Sequence, residues 1–169
     1  MNLSEIISQP MTLSRLRELL PKDSKAVLYD TLKNDKRTRK DIFRGINSLV
    51  VLYEGKIDGK KQGHYVCLIP RAYSIEYFSS LGRPPTDEMS AFHTDPTAFK
   101  ILLGKNYTYN KKKLQQQSYT VEDCGYWVLA RCIMWKTKLA QFQKMFSPRT
   151  LRSSDEMLAN MMFFLANSV

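Results

Sequence analysis

Thiol–imidazole chemistry has a short list of participants here, because the chain carries three cysteines and two histidines. Cys67 and Cys132 sit in apolar runs (HYVCLI and LARCIMW), where a free cysteine behaves as a small hydrophobe. Cys124 differs, following two acids and preceding a glycine in VEDCGYW. A cysteine opening a helix meets unpaired backbone N–H groups and the positive end of the macrodipole, which favour thiolate. A thiolate nucleophile needs an imidazole to take its proton and later protonate the leaving amine. His64 begins an apolar run straight after a loop and suits that role, whereas His93 lies in a polar segment (SAFHTDP) and reads as an ordinary surface residue. The third need is donors for an oxyanion, for which Gln115, Gln116 and Gln117 stand just upstream of Cys124.

These groups must be held by elements. Residues 64–69 and 74–78 read as two strands joined by a tight turn. With Arg71 and Ala72 as a two-residue turn, Pro70 faces Tyr73, Cys67 faces Glu76, and His64 faces Ser79. Opposed residues share a sheet face with Cβ atoms about 5 Å apart, so His64 and Ser79 are predicted neighbours. Glu76 points to the other face, and a bulge or register slip would be needed to bring it round. Residues 124–136 are apolar nearly all round and predict a helix buried at the centre of its domain.

Elsewhere, helices are predicted over 12–20 and 25–32, a charged loop or helix end over 33–41, and a buried strand over 48–53. The basic stretch 55–63 reads as a connecting loop, 96–103 as a helix, 106–113 as a polar loop, 114–120 as a strand, and 155–166 as a last helix. The expectation is an α+β fold with a small mixed or antiparallel sheet flanked by helices around a buried central one. A single domain spans 1–169, with a helical part to about 45, a core over 46–140 and C-terminal helices over 141–169. The absence of a signal-peptide pattern or long apolar run predicts a soluble, intracellular protein that is not membrane-bound, and a monomer is expected. The cysteine spacing fits no disulfide or zinc pattern, so no metal is expected. Lysine and arginine total 26 against 16 acids, a net charge of +10. That surplus favours an acidic partner such as nucleic acid, which Lys111, Lys112 and Lys113 could contact, with Tyr107 and Tyr109 beside them for stacking.

The pieces GHYVCLIPR, SIEYFSSLG and QQQSYTVEDCGYWVLARCI resemble the adenovirus-protease (adenain) and ubiquitin-like-protease group of cysteine proteases. The match covers roughly residues 48–133. It implies a papain-like fold with His64 as base, Cys124 as nucleophile and Gln117 in the oxyanion hole, Gln116 being the fallback. Tyr65 stands where that group commonly has tryptophan. The implied substrate is a viral precursor polypeptide, processed at virion maturation, with no cofactor required and with DNA or a short peptide as activators. Two alternatives follow: a peptidase removing ubiquitin-like modifiers, or an impaired protease fold serving as a nucleic-acid-binding module. One departure matters, because Ser79 stands where the group has the acid that orients the histidine. Ser79 or a water could orient His64 weakly, Glu76 could enter through a bulge, or the site could be impaired. Retention of Cys124, His64 and Gln117 favours the first.

Overall fold

The computed structural model describes residues 10–116, 123–147 and 153–166. Its elements, in chain order, are α1 (Leu13–Leu19), β1 (Ser24–Leu28), α2 (Tyr29–Lys33), α3 (Arg39–Ile42), β2 (Ser48–Ile57), β3 (Lys60–Pro70) and β4 (Ile75–Phe78). They continue with α4 (Pro85–Ala91), α5 (Thr97–Leu103), β5 (Tyr107–Tyr109), α6 (Cys124–Ile133), α7 (Leu139–Met145) and α8 (Ser154–Ala166). The fold is α+β, a five-stranded mixed sheet ordered β1-β2-β3-β4-β5 with helices on both faces. The central strands run antiparallel, while β1 on β2 and β5 on β4 are parallel.

Because both faces are covered, the strands read as continuous apolar runs rather than alternating ones. Strand periodicity still sorts them into two clusters. Val50, Tyr65, Cys67, Ile69 and Phe78 pack against Trp127 and Val128 of α6, with α7 and α8 behind. Val51, Tyr53, Val66, Leu68 and Tyr77 pack against Met89, Phe92 and Phe99 on the other face. The expected central helix is α6, and all its residues but Tyr126 and Ile133 are buried.

Several expectations change. Residues 25–28 form β1 rather than helix, paired in parallel with β2 and anchored by a 2.6 Å contact between the Ser24 and Ser48 hydroxyls. Helix begins only at Tyr29. The 55–63 loop is a hairpin in which β2 and β3 pair out to Ile57 and Lys60. Asp58 and Gly59 take φ of 50° and 75°, the two left-handed residues of a hairpin turn that an Asp-Gly pair supplies. Residues 107–109 form β5 where a polar loop was expected. Of the strand predicted over 114–120, residues 114–116 are not in a strand and 117–120 lie outside the described residues.

The β3–β4 register differs by two residues from the count. Pro70 pairs with Ile75 and Cys67 with Phe78, because the turn holds residues 71–74 and is closed by Arg71 N–H to Ser74 O. A slip of two preserves every face assignment, since the side-chain period is also two.

One close approach ties α4 to the sheet. A Cβ on Gly55 would lie 1.8 Å from the Phe92 carbonyl oxygen. We expect Gly55→Ala to push the end of α4 off β2 and cost about 1–3 kcal/mol, read as a lowered urea midpoint. An unchanged midpoint would contradict this packing.

Candidate active site

His64 follows the hairpin on β3, is 3% exposed, and stacks on Phe92 with centroids 5.6 Å apart. Its Nε2 lies 2.9 Å from Ser79 Oγ. The neighbour relation read from the sequence is therefore present, reached through the diagonal of the shifted register. Ser79 does not act alone. Its hydroxyl donates to Glu88 Oε2 at 2.6 Å, and Tyr53 and Tyr77 donate to Glu88 Oε1 at 2.8 and 2.7 Å. Glu88 is fully buried on α4, and its Oε1 lies 3.6 Å from His64 Nε2.

A proton inventory fixes the tautomer. A serine hydroxyl has one proton and two acceptor lone pairs. Ser79 Oγ gives its proton to Glu88 and accepts the Leu81 N–H at 3.2 Å, so the remaining contact must be a donation from His64 Nε2–H. Neutral His64 then carries its lone pair on Nδ1. Burial pushes the Tyr53 and Tyr77 hydroxyls well above their ordinary range, so both stay protonated donors to Glu88. Glu88 thus stands behind His64 through a serine, and sequence reading missed it. Helical spacing was the available signal. Pro85, Glu88 and Phe92 follow one another at three and four residues, placing an acid on an apolar helix face.

Burial lowers the His64 pKa, and the nearby Glu88 carboxylate offsets only part of that. As pH falls below the ordinary histidine range, the unfolded chain takes up this proton before the folded one. Stability contributed by neutral His64 is therefore present at neutral pH and lost on acidification. Ser79→Ala should remove the acceptor from His64 Nε2–H and leave Glu88 beyond direct reach. We expect about a 10- to 100-fold loss of Cys124 reactivity, measured by alkylation rate.

Glu76 takes no part in this cluster. It lies on the opposite face, where Oε1 accepts from Arg131 Nε at 2.7 Å and Oε2 from Arg71 Nη2 at 2.6 Å. The acid proposed to enter through a bulge is committed to an ion network.

Cys124 is the first residue of α6 and 8% exposed. The residues after Cys124 and His64 meet, since a Cβ on Gly125 would lie 3.4 Å from Tyr65 Cδ2 and 2.5 Å from Met11 Cβ. Tyr65 donates its hydroxyl to the Met11 carbonyl at 2.9 Å. Burial chiefly, then Tyr77 and Glu88 and last Cys124, raise the Tyr53 pKa. Cys67 and Cys132 are buried, with sulfurs 3.4 Å apart between β3 and α6.

Gln117, the expected oxyanion donor, lies outside the described residues. Gln115 is buried with Oε1 accepting from Ser80 Oγ at 2.8 Å, while the Gln116 side chain is exposed. The segment carrying them is laced to the Ser79 turn. Asn110 Oδ1 accepts the Ser79 N–H, its Nδ2 donates to the Ser79 carbonyl, and Leu114 and Gln115 N–H groups donate to the Ser80 carbonyl. Lys111, Lys112 and Lys113 are exposed, Lys112 donating to Ser147 Oγ, and His93 is exposed. No metal-binding cluster of His, Cys, Asp and Glu occurs among the described residues, and none of their helices is long and apolar enough to cross a membrane. No protein-family model matches the chain, and no curated protein matches it.

Proposed function

We propose that this protein is a cysteine peptidase of the papain-like type, similar to the adenovirus-protease and ubiquitin-like-protease group. The observation that carries the reading is the His64–Ser79–Glu88 relay, on a strand where the residue after His64 packs on the residue after Cys124. The relay supplies what the sequence seemed to lack, an acid behind the histidine. It therefore favours an active enzyme over an impaired one.

In this reading, Nδ1 of His64 takes the Cys124 thiol proton as the sulfur attacks the scissile carbonyl. The tetrahedral oxyanion is stabilised by backbone N–H groups at the start of α6, with Gln117 as side-chain donor. Imidazolium forms with Nε2–H pointing along Ser79 to Glu88, whose negative charge stabilises it. His64 then passes its proton to the leaving amine. Water, deprotonated by the same imidazole, releases the acyl group from sulfur and restores the thiol. Viral precursor polypeptides are the substrate class that the resemblance favours. The exposed lysines at 111–113 and the basic balance support a nucleic-acid contact, which would weaken steeply with added salt.

A pooled-peptide cleavage assay tests the peptidase reading. Wild-type protein should cut a defined subset of sequences, and Cys124→Ser and His64→Ala should each abolish cutting. Cleavage that survives Cys124→Ser would overturn it.

A further inference from the structure

Behind the nucleophile lies a second acidic site that the relay does not use. Asp123 precedes Cys124, caps α6 with no side-chain hydrogen bond to the helix, and is fully buried. Among the described residues, no donor in hydrogen-bonding geometry reaches either of its carboxyl oxygens. The charged group acting on it is Asp155, on the first turn of α8 and 1% exposed. Asp155 has donors of its own, accepting the Gln116 N–H at 3.1 Å on Oδ2 and the Trp127 Nε1–H at 3.3 Å on Oδ1. Its neighbour Ser154 donates to the Leu114 carbonyl. Asp155 thereby joins three parts of the site: the segment leading to Gln117, the nucleophile helix through Trp127, and α8.

Two buried carboxylates side by side, one supplied with N–H donors and the other with none, are unfavourable unless a proton lies between them. The N–H donors stand on Asp155, so a shared proton falls to Asp123. We infer that Asp123 and Asp155 form a one-proton carboxyl pair that keeps the residue before Cys124 uncharged and locks α6 to α8 and the 114–116 segment, making Asp123 a positioning residue for the nucleophile. The inference rests on Cys124 being the nucleophile. The direction of titration agrees. Burial first, then the charge and hydrogen bonding of Asp155, push the Asp123 pKa up to about 8, against a smaller opposing pull from the Trp127 indole. Above that pH, Asp123 ionises beside Cys124 and faces a second carboxylate, so the lock opens.

A carboxyl protonated in the folded state but ionised in the unfolded chain makes stability fall as pH rises from the ordinary aspartate range toward 8, and that slope disappears when the group cannot ionise.

Asp123→Asn separates this role from simple packing, because its amide N–H can donate to Asp155 as the protonated acid does but cannot ionise. Two measurements are needed. In a carboxyl-carbon NMR titration of protein labelled at aspartate, one resonance should titrate near pH 8 and be missing in Asp123→Asn. This readout does not depend on catalysis. At pH 9.5, with the lock open, labelling of Cys124 by a peptide electrophile should be up to about tenfold slower in the wild type than in Asp123→Asn, a difference matching about one pKa unit of disfavoured thiolate. At pH 7 the two should agree within about twofold, while Asp123→Ala should be slower than Asp123→Asn at both pH values. An Asp123 carboxyl titrating in the ordinary aspartate range overturns the pair. So does an Asp123→Asn variant as slow at pH 7 as Asp123→Ala. Equal rates in wild type and Asp123→Asn at pH 9.5 overturn the positioning role. A resonance near pH 8 with Cys124 unreactive at every pH upholds the pair and sinks the nucleophile reading instead.

Discussion

Glu88→Gln should slow acylation of Cys124 by about three orders of magnitude while leaving a folded protein. The amide has the shape of the carboxylate but can accept at only one end. If its oxygen keeps the Tyr53 and Tyr77 hydroxyls, its NH2 faces Ser79 and becomes the donor there. The Ser79 proton must then turn toward His64, which demands a lone pair on Nε2 and places the ring proton on Nδ1. That tautomer cannot receive the thiol proton, and trapping the wrong tautomer behind an orienting acid costs about 10⁴-fold in serine proteases. Here a serine stands between acid and base, so the expected loss is nearer 10³-fold. If the amide turns the other way, two buried hydroxyls lose their acceptor, a cost of about 1–3 kcal/mol each. Single-turnover acylation and thermal unfolding read the two contributions apart. A Glu88→Gln enzyme acylating at the wild-type rate would remove Glu88 from the machinery.

The second large effect falls on stability rather than chemistry. Arg131 is fully buried at the far end of α6, with Nε on Glu76 Oε1, Nη1 on the Met134 carbonyl at 2.6 Å, and Nη2 on the Thr137 carbonyl at 2.8 Å. Glu76→Ala would leave this guanidinium in the interior with carbonyls but no counter-charge. Removing one partner of a buried ion pair costs about 3–5 kcal/mol. For a chain of this size that corresponds to a Tm lower by roughly 10–15 °C. Arg131→Met should cost less, because Glu76 keeps Arg71 and the replacement packs against Phe142, over which the guanidinium now lies at 5.0 Å. The same variant tests function. At a temperature where Glu76→Ala remains folded, its Cys124 should react at nearly the wild-type rate. A large loss of reactivity with Tm unchanged would make Glu76 the acid after all.

The chemistry-bearing parts of the chain were the most legible. Cys124 at a helix start, His64 on the strand and Ser79 as its neighbour all follow from local pattern and a hairpin count, although the strand begins at Lys60 and not at His64 as expected. The count placed the turn two residues short, yet the error was harmless because an even slip keeps each side chain on its face. Glu76 was correctly assigned to the opposite face for the same reason. Glu88 was lost because its role depends on a helix, α4, that comes back onto β2 through the Gly55–Phe92 contact. No periodicity within 85–91 points to His64 on β3, 24 residues before Glu88 in the chain though adjacent in space. The hairpin at 58–59 was obscured by its charge, since lysines and glycines resemble a loop until the Asp-Gly pair is weighed as a turn. Strands β1 and β5 were missed because short parallel edge strands carry little pattern of their own and exist through the neighbours they pair with. Asp123 was noticed only as an acid before the cysteine. Its significance comes from Asp155, which tertiary packing of α8 on α6 brings beside it.

The most direct test of the Cys124–His64 pairing is the second-order rate at which a peptide bearing a thiol-reactive electrophile labels Cys124 at neutral pH. It should be compared across wild type, His64→Ala and Glu88→Gln, with the modified residue located by mass spectrometry. A base held in the Nε2–H tautomer predicts wild-type labelling far faster than that of a free cysteine, and a collapse in both variants. Labelling of Cys124 no faster than free cysteine, and indifferent to His64→Ala, would contradict it.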